Sequence, residues 1–281
     1  MNLHNCLFGR PLGITLLVLA SILLHGLAPA ADGDERILFL HHSTGGAVYT
    51  QGDVPGWIGA YNAAHGTAYD IDARAYPNSP YPWSNYPYDY WNLWVNGDCE
   101  DAQAGIACMS GLVQTYDVII LKHCYPGADI LEDTGSPDIA SARKSLENYK
   151  LQYRALRNLM DGHTDIQFIV WTLAPRHRLA TTTSNATRAR AFVDWVRSEW
   201  LTEDGGSHPN IAVFDFWGYA AEENDGTSTG QGPVNTLRYE YEKSHSGADS
   251  HPNTLANETI GPLFAEFIVD TIEGPSARGS Q

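Results

Sequence analysis

Short apolar runs alternate with helical periodicities along this chain. Arg36-Ile37-Leu38-Phe39-Leu40-His41 sets four consecutive apolar residues before a break at His42-Ser43-Thr44-Gly45-Gly46, and further candidate strands occur at 69–75, 117–122, 166–173 and 210–216. Runs of this length bounded by turn residues predict buried strands. Between them the spacing of apolar positions predicts helices near 54–65, 103–115, 139–161, 187–201 and 254–272. Strands alternating with helices imply βαβ crossovers, hence an α/β domain of three layers, α/β/α, around a five-stranded parallel sheet. No internal repeat or low-complexity linker interrupts the pattern, so 31–281 reads as a single domain.

Two stretches break the alternation. Tyr76 to Glu100 interleaves Tyr76, Tyr81, Trp83, Tyr86, Tyr88, Tyr90, Trp91 and Trp94 with Pro77, Pro80, Pro82 and Pro87. Proline at that density excludes a regular helix or central strand, and so long a loop in a compact domain is usually functional. Its aromatics are expected either to stack on sugar rings or to pin the loop to the body. The second stretch, Gly218 to Ser250, is a polar excursion rich in Gly, Ser, Thr and acidic residues.

The first thirty residues have the form of an export signal. Arg10 supplies the positive end, Ile14 to Leu24 the apolar stretch and Ala28-Pro29-Ala30 the cleavage pattern. A secreted or periplasmic protein with no membrane segment in its mature form is therefore expected. The remaining chain carries 16 basic and 33 acidic side chains, a net charge of −17. Nucleic acid and anionic membranes are poor partners for such a surface. Export permits a disulfide between Cys99 and Cys108, which leaves Cys124, at the end of an apolar strand, as a buried structural thiol.

Chemistry concentrates at two distant places. Ser43 follows the first strand, where reactive groups collect in open α/β sheets, and it reads as either a nucleophile or a helix N-cap. Asp249-Ser250-His251-Pro252-Asn253 precedes the last helical run. There His251 can serve as a base and Asp249 can hold its tautomer, with Asp249 or Asn253 as mere helix caps the plainer alternative.

A serine ending the first strand and an Asp-x-His-Pro before the last helix resemble the SGNH (GDSL-like) hydrolase superfamily, and the element order of 31–281 is similar throughout. The resemblance implies a flavodoxin-like strand order, Ser43 as nucleophile and His251 as base. The family's Gly-Asp-Ser is replaced by His41-His42-Ser43. The acid usually lies three residues before the histidine, where this chain has Ala248; Asp249 lies two before, as in the related alginate O-acetyltransferases. The family's glycine after the second strand gives way to Arg74-Ala75-Tyr76-Pro77-Asn78-Ser79. Its oxyanion asparagine is missing from Asp117-Val118-Ile119-Ile120-Leu121-Lys122-His123-Cys124-Tyr125-Pro126. Thr44 N–H, Asn78, Lys122 and His123 are the candidate oxyanion donors in its stead.

His41, His42, Lys122, His123, Arg176 and His177 fall at or near strand C-termini and are expected to form a basic rim. His42, Tyr76, Trp83, Tyr125, Arg176 and His177 are the candidate substrate contacts. No metal-ligand spacing is present, and neither metal nor cofactor is expected. The leading reading is an exported carbohydrate acetyl esterase acting on a polysaccharide. The alternatives are a uronate-polymer lyase using Lys122, His123, Arg176 and Tyr125, a glycan O-acetyltransferase, and a non-catalytic glycan-binding protein on a degenerate hydrolase fold. The sequence leaves the oligomeric state open.

Overall fold

A computed structural model describes residues 34–101, 105–223 and 230–274; the export segment expected over 1–30 lies outside the described residues. Strands β1 (Arg36–His41), β2 (Asp70–Ala75), β3 (Val118–Leu121), β4 (Gln167–Trp171) and β5 (Ile211–Phe214) pair in parallel in the order β2-β1-β3-β4-β5. This is the flavodoxin-like order, whose direction of winding reverses between β1 and β3 and opens a crevice beyond their carboxyl ends.

The helices in chain order are α1 (Ser43–Gln51), α2 (Val54–His65), three single turns α3 (Pro87–Tyr90), α4 (Asp98–Asp101) and α5 (Met109–Leu112), then α6 (Leu146–Asp161), α7 (Thr183–Ser198), the short α8 (Phe216–Ala220) and α9 (Thr254–Glu273). Strand alternation assigns them to two layers. Leu38, Leu40, Ile119, Leu121, Phe168 and Val170 face one side, where Leu156 of α6 and Phe192 of α7 pack. Ile37, Phe39, Ile120, Ile169 and Trp171 face the other, against Val48 of α1, Ile58 of α2 and Phe264 of α9. Each such side chain, fully buried, is worth about 1.5–3 kcal/mol relative to exposure.

Several expectations are corrected. The helix expected near 103–115 is not continuous: among its described residues only α5 is helical, and the Cys99–Cys108 disulfide, with Cα atoms 5.6 Å apart, ties α4 to the residue that precedes α5. The helix expected from 139 begins only at Leu146, because 129–145 runs as irregular chain tied by polar bonds such as Leu131 N–H to Lys144 O. The helix expected from 187 begins at Thr183, where Thr182 Oγ1 caps it by accepting from Asn185 N–H at 3.1 Å. The proline-rich stretch is also not wholly irregular. Pro87 sits in the first turn of α3, where its missing N–H costs nothing, and the helix runs on as a π-turn through Trp91–Val95.

Two glycines set the spacing of the layer that carries the site. Gly52 closes α1 and meets Gly261 of α9 so closely that a Cβ on Gly261 would lie 2.5 Å from Gly52 Cα. Beside them Asn257 Nδ2 donates to Gln51 Oε1 at 2.8 Å.

Candidate active site

β1 delivers the chain directly into α1, and the position of Ser43 in that junction separates its two readings. His42, not Ser43, is the N-cap, and its side chain makes no capping bond. Ser43 is the first helical residue, and it is exposed. The first backbone bond of the helix runs from Gly46 N–H to His42 O at 3.2 Å. The N–H groups of Ser43, Thr44 and Gly45 therefore precede the ladder, at the positive end of the helix dipole. A first turn of this kind can receive a developing negative charge beside the serine.

The opposing part of the site comes from the loop before α9. Asn253 caps that helix, accepting from Ala256 N–H at 3.1 Å, so Asp249 is left for other work. Asp249 Oδ1 accepts from the His251 backbone N–H at 3.0 Å and lies 2.5 Å from His251 Nδ1. Partial burial pushes the Asp249 carboxyl up, but the hydrogen bonds from His251, with Lys243 nearby, more than offset this and hold it below the usual carboxylate value. An ionised Asp249 keeps the proton of the imidazole on Nδ1 and leaves Nε2 to accept another.

The end of β3 bridges the two parts. Cys124 Sγ lies 3.5 Å from Ser43 Oγ, and the next ring, Tyr125, meets the His251 ring edge-on with centroids 4.8 Å apart. Ser43 and His251 thus contact consecutive residues of one loop. Asn85, buried and in the left-handed region at φ 53°, fixes that loop by accepting from Cys124 N–H at 2.6 Å through Oδ1. Sequence reading passed over Asn85; the Ser84-Asn85-Tyr86-Pro87 context, in which asparagine tolerates positive φ, was the available sign.

The basic rim is not there. Lys122, His123 and His177 are fully buried. His123 packs edge-on to Tyr90, with centroids 5.1 Å apart, and burial followed by the Lys122 charge pushes its imidazole down to about 3. His177 accepts from Leu179 N–H through Nδ1 and turns Nε2 to Ser244 O and Glu242. Neither histidine is an oxyanion or substrate contact in this arrangement. Arg176 forms an ion pair with Asp129 at 2.7 Å. His41 points down against Phe39 and Tyr49, and burial, then the Lys122 charge, brings it to about 4.

The aromatic stretch divides the same way. Tyr76 is buried, donating to Ala107 O, and so is not a platform for substrate; Tyr81, Tyr86, Tyr90, Trp91 and Trp94 are buried with it. Trp83 differs. It is 39 % exposed and stacks on His42 at a centroid distance of 3.5 Å, beside the serine. His42 is itself held by Pro77 O, 2.5 Å from Nε2, and Asn78 is exposed with its amide donating to Ser79 O. A cleft of about 530 Å³ lies at the other end of the sheet, lined by Asp34, Asp117, Gln167 and Asn210, away from these groups.

Among the described residues no helix is long and apolar enough to cross a membrane. Comparison with known families, curated proteins and solved structures returns no match.

Proposed function

We propose that the protein is an exported serine hydrolase that removes acyl groups, acetyl foremost, from a carbohydrate polymer. The observation that carries this reading is the Asp249–His251 pair, 2.5 Å apart, joined through Tyr125 and Cys124 to an exposed serine on the first turn of α1. In the reaction His251 Nε2 takes the proton of Ser43, whose oxygen attacks the acyl carbonyl. The oxyanion is met by first-turn N–H groups of α1 that lie ahead of the helical ladder. His251 then gives its proton to the departing sugar hydroxyl, and a water activated by the same imidazole releases the acid.

Trp83, the exposed aromatic beside the site, suits a sugar ring. The Cys99–Cys108 disulfide suits an oxidising compartment, in line with the export segment. A lyase is the weaker reading, because it needs a cation free to neutralise a uronate, whereas Lys122 is buried and Arg176 is paired with Asp129. An acetyltransferase would use the same serine and differ only in the acceptor.

Acetate release from acetylated polysaccharides decides the matter. Wild type is expected to release acetate, and Ser43→Ala and His251→Ala to lose nearly all of it. Equal rates in wild type and Ser43→Ala would end the serine mechanism, and acetyl gain by an added glycan would move the assignment to a transferase.

A further inference from the structure

Below the serine is a group that the hydrolase reading does not use. Lys122 leaves the end of β3 and runs under the first turn of α1, fully buried. Gly45 makes room for it: a Cβ there would stand 2.6 Å from Lys122 Cδ. Its Nζ ends 3.2 Å from Cys124 Sγ, its one hydrogen-bond partner among the described residues.

A buried ammonium without a counter-charge costs several kcal/mol, so such groups are either paired or neutral. The titratable groups that feel this charge are His41 and His42 at the end of β1 and His123 and Cys124 after β3, and no carboxylate is among its charge partners. The sulfur is the one candidate anion. Polar groups converge on it: Lys122 Nζ at 3.2 Å, the Ser43 hydroxyl at 3.5 Å and the Thr44 hydroxyl at 3.9 Å, at the positive end of α1.

We propose that Cys124 is held as a thiolate paired with the Lys122 ammonium, and that this sulfur is a positioning group that accepts the hydrogen bond of Ser43 and fixes its hydroxyl at the mouth of α1. The positioning role rests on Ser43 being the nucleophile; the ion pair does not. Burial pushes the thiol up, but the Lys122 charge and the hydrogen bonds from Ser43 and Thr44 carry it below its ordinary value. Asn85, holding the Cys124 N–H, keeps the sulfur from drifting out of this cluster.

The test is a pH titration of thiolate ultraviolet absorbance in the full chain, taken as wild type minus Cys124→Ser so that any other thiol cancels. The expected midpoint lies below the roughly 8.5 of a free cysteine. Lys122→Met is expected to raise it above about 8.5. Should either variant fail to fold, the cysteine 13Cβ shift in selectively labelled wild type reports the same titration. A wild-type midpoint at or above about 8.5 overturns the ion pair.

For the positioning role, Cys124→Ser is expected to lower kcat for ester hydrolysis about tenfold with KM within twofold. An unchanged kcat overturns that role. Loss of the hydrolase reading would show separately, as wild type without esterase activity, and would leave the titration result standing.

Discussion

The backbone N–H of His177 donates to Ser250 Oγ at 3.0 Å, which ties the loop after β4 to the residue between Asp249 and His251. The bond is buried, and it anchors the Asp-x-His segment from its middle. Glu242, buried with His177 Nε2 at 3.1 Å and Arg178 Nε at 3.2 Å, anchors the same segment at its root, where Glu242 bridges to Pro252. A histidine carried on a long polar excursion is in this way tied to the body of the domain at two points.

Ser250→Ala leaves the His177 N–H buried without an acceptor, at a cost of about 1–3 kcal/mol. Calorimetry is expected to give a Tm lower by about 2–10 °C. Ser250→Thr, which keeps the hydroxyl, is expected to recover most of the loss. An unchanged Tm in the alanine variant would show that the bond does not hold the loop.

Gly45→Ala and Gly59→Ala should act in opposite directions although both glycines are helical. A Cβ at Gly45 meets Lys122 Cδ at 2.6 Å, His41 Cβ at 2.7 Å and Phe39 Cζ at 2.9 Å, whereas one at Gly59 meets nothing within 4 Å. Denaturant unfolding is expected to show Gly45→Ala destabilised by about 1–3 kcal/mol and Gly59→Ala stabilised by about 0.5–1 kcal/mol.

Stability should fall on mild acidification. His41 and His123 sit at about 4 and about 3 in the folded state, against 6.5 as free imidazoles. Between those values the unfolded chain binds protons that the folded chain does not. The stabilisation they provide is therefore fully present above about 6.5 and is lost as pH falls toward 4. At pH 5 the loss is about 2 kcal/mol for each histidine. His123→Phe is expected to flatten the pH dependence of unfolding between 6.5 and 4; a slope equal to wild type would contradict the assignment.

Trp83→Ala removes the exposed ring stacked on His42. For a polymeric substrate KM is expected to rise about 2–10-fold, the size of one aromatic contact, with kcat for a small acetyl ester nearly unchanged. Equal loss on both substrates would mean that Trp83 supports His42 rather than the sugar.

The sheet was legible because β1, β3 and β4 are near-continuous apolar runs, while the edge strand β2 alternates Asp70, Asp72 and Arg74 with Ile71, Ala73 and Ala75; each expected strand falls within two residues of the observed one. α1 was not legible as a helix: Gly45 and Gly46 weaken its propensity, and both are required by what lies beneath, Lys122 and the His41 ring. The same contacts hid the lysine, since Lys122 reads as a surface charge unless the glycine over it is known. The stretch 76–100 misled through its prolines, because Pro87 at the start of a helix is permissive rather than breaking. In the site, Ser43 and Asp249-x-His251 could be read from their positions at element boundaries. Asn85 and the inward turn of His177 depend on tertiary packing and leave almost no local pattern.

The close meeting of Gly52 and Gly261 bears on how the two distant parts of the site can move. The helix that begins with Ser43 and the helix that follows His251 touch backbone to backbone, with no side chain between them to yield. The spacing of Ser43 and His251 therefore rests in part on a contact between two backbones. A single methyl group at that crossing, far from any reacting atom, would alter the gap between them as a wedge alters the jaws of a clamp.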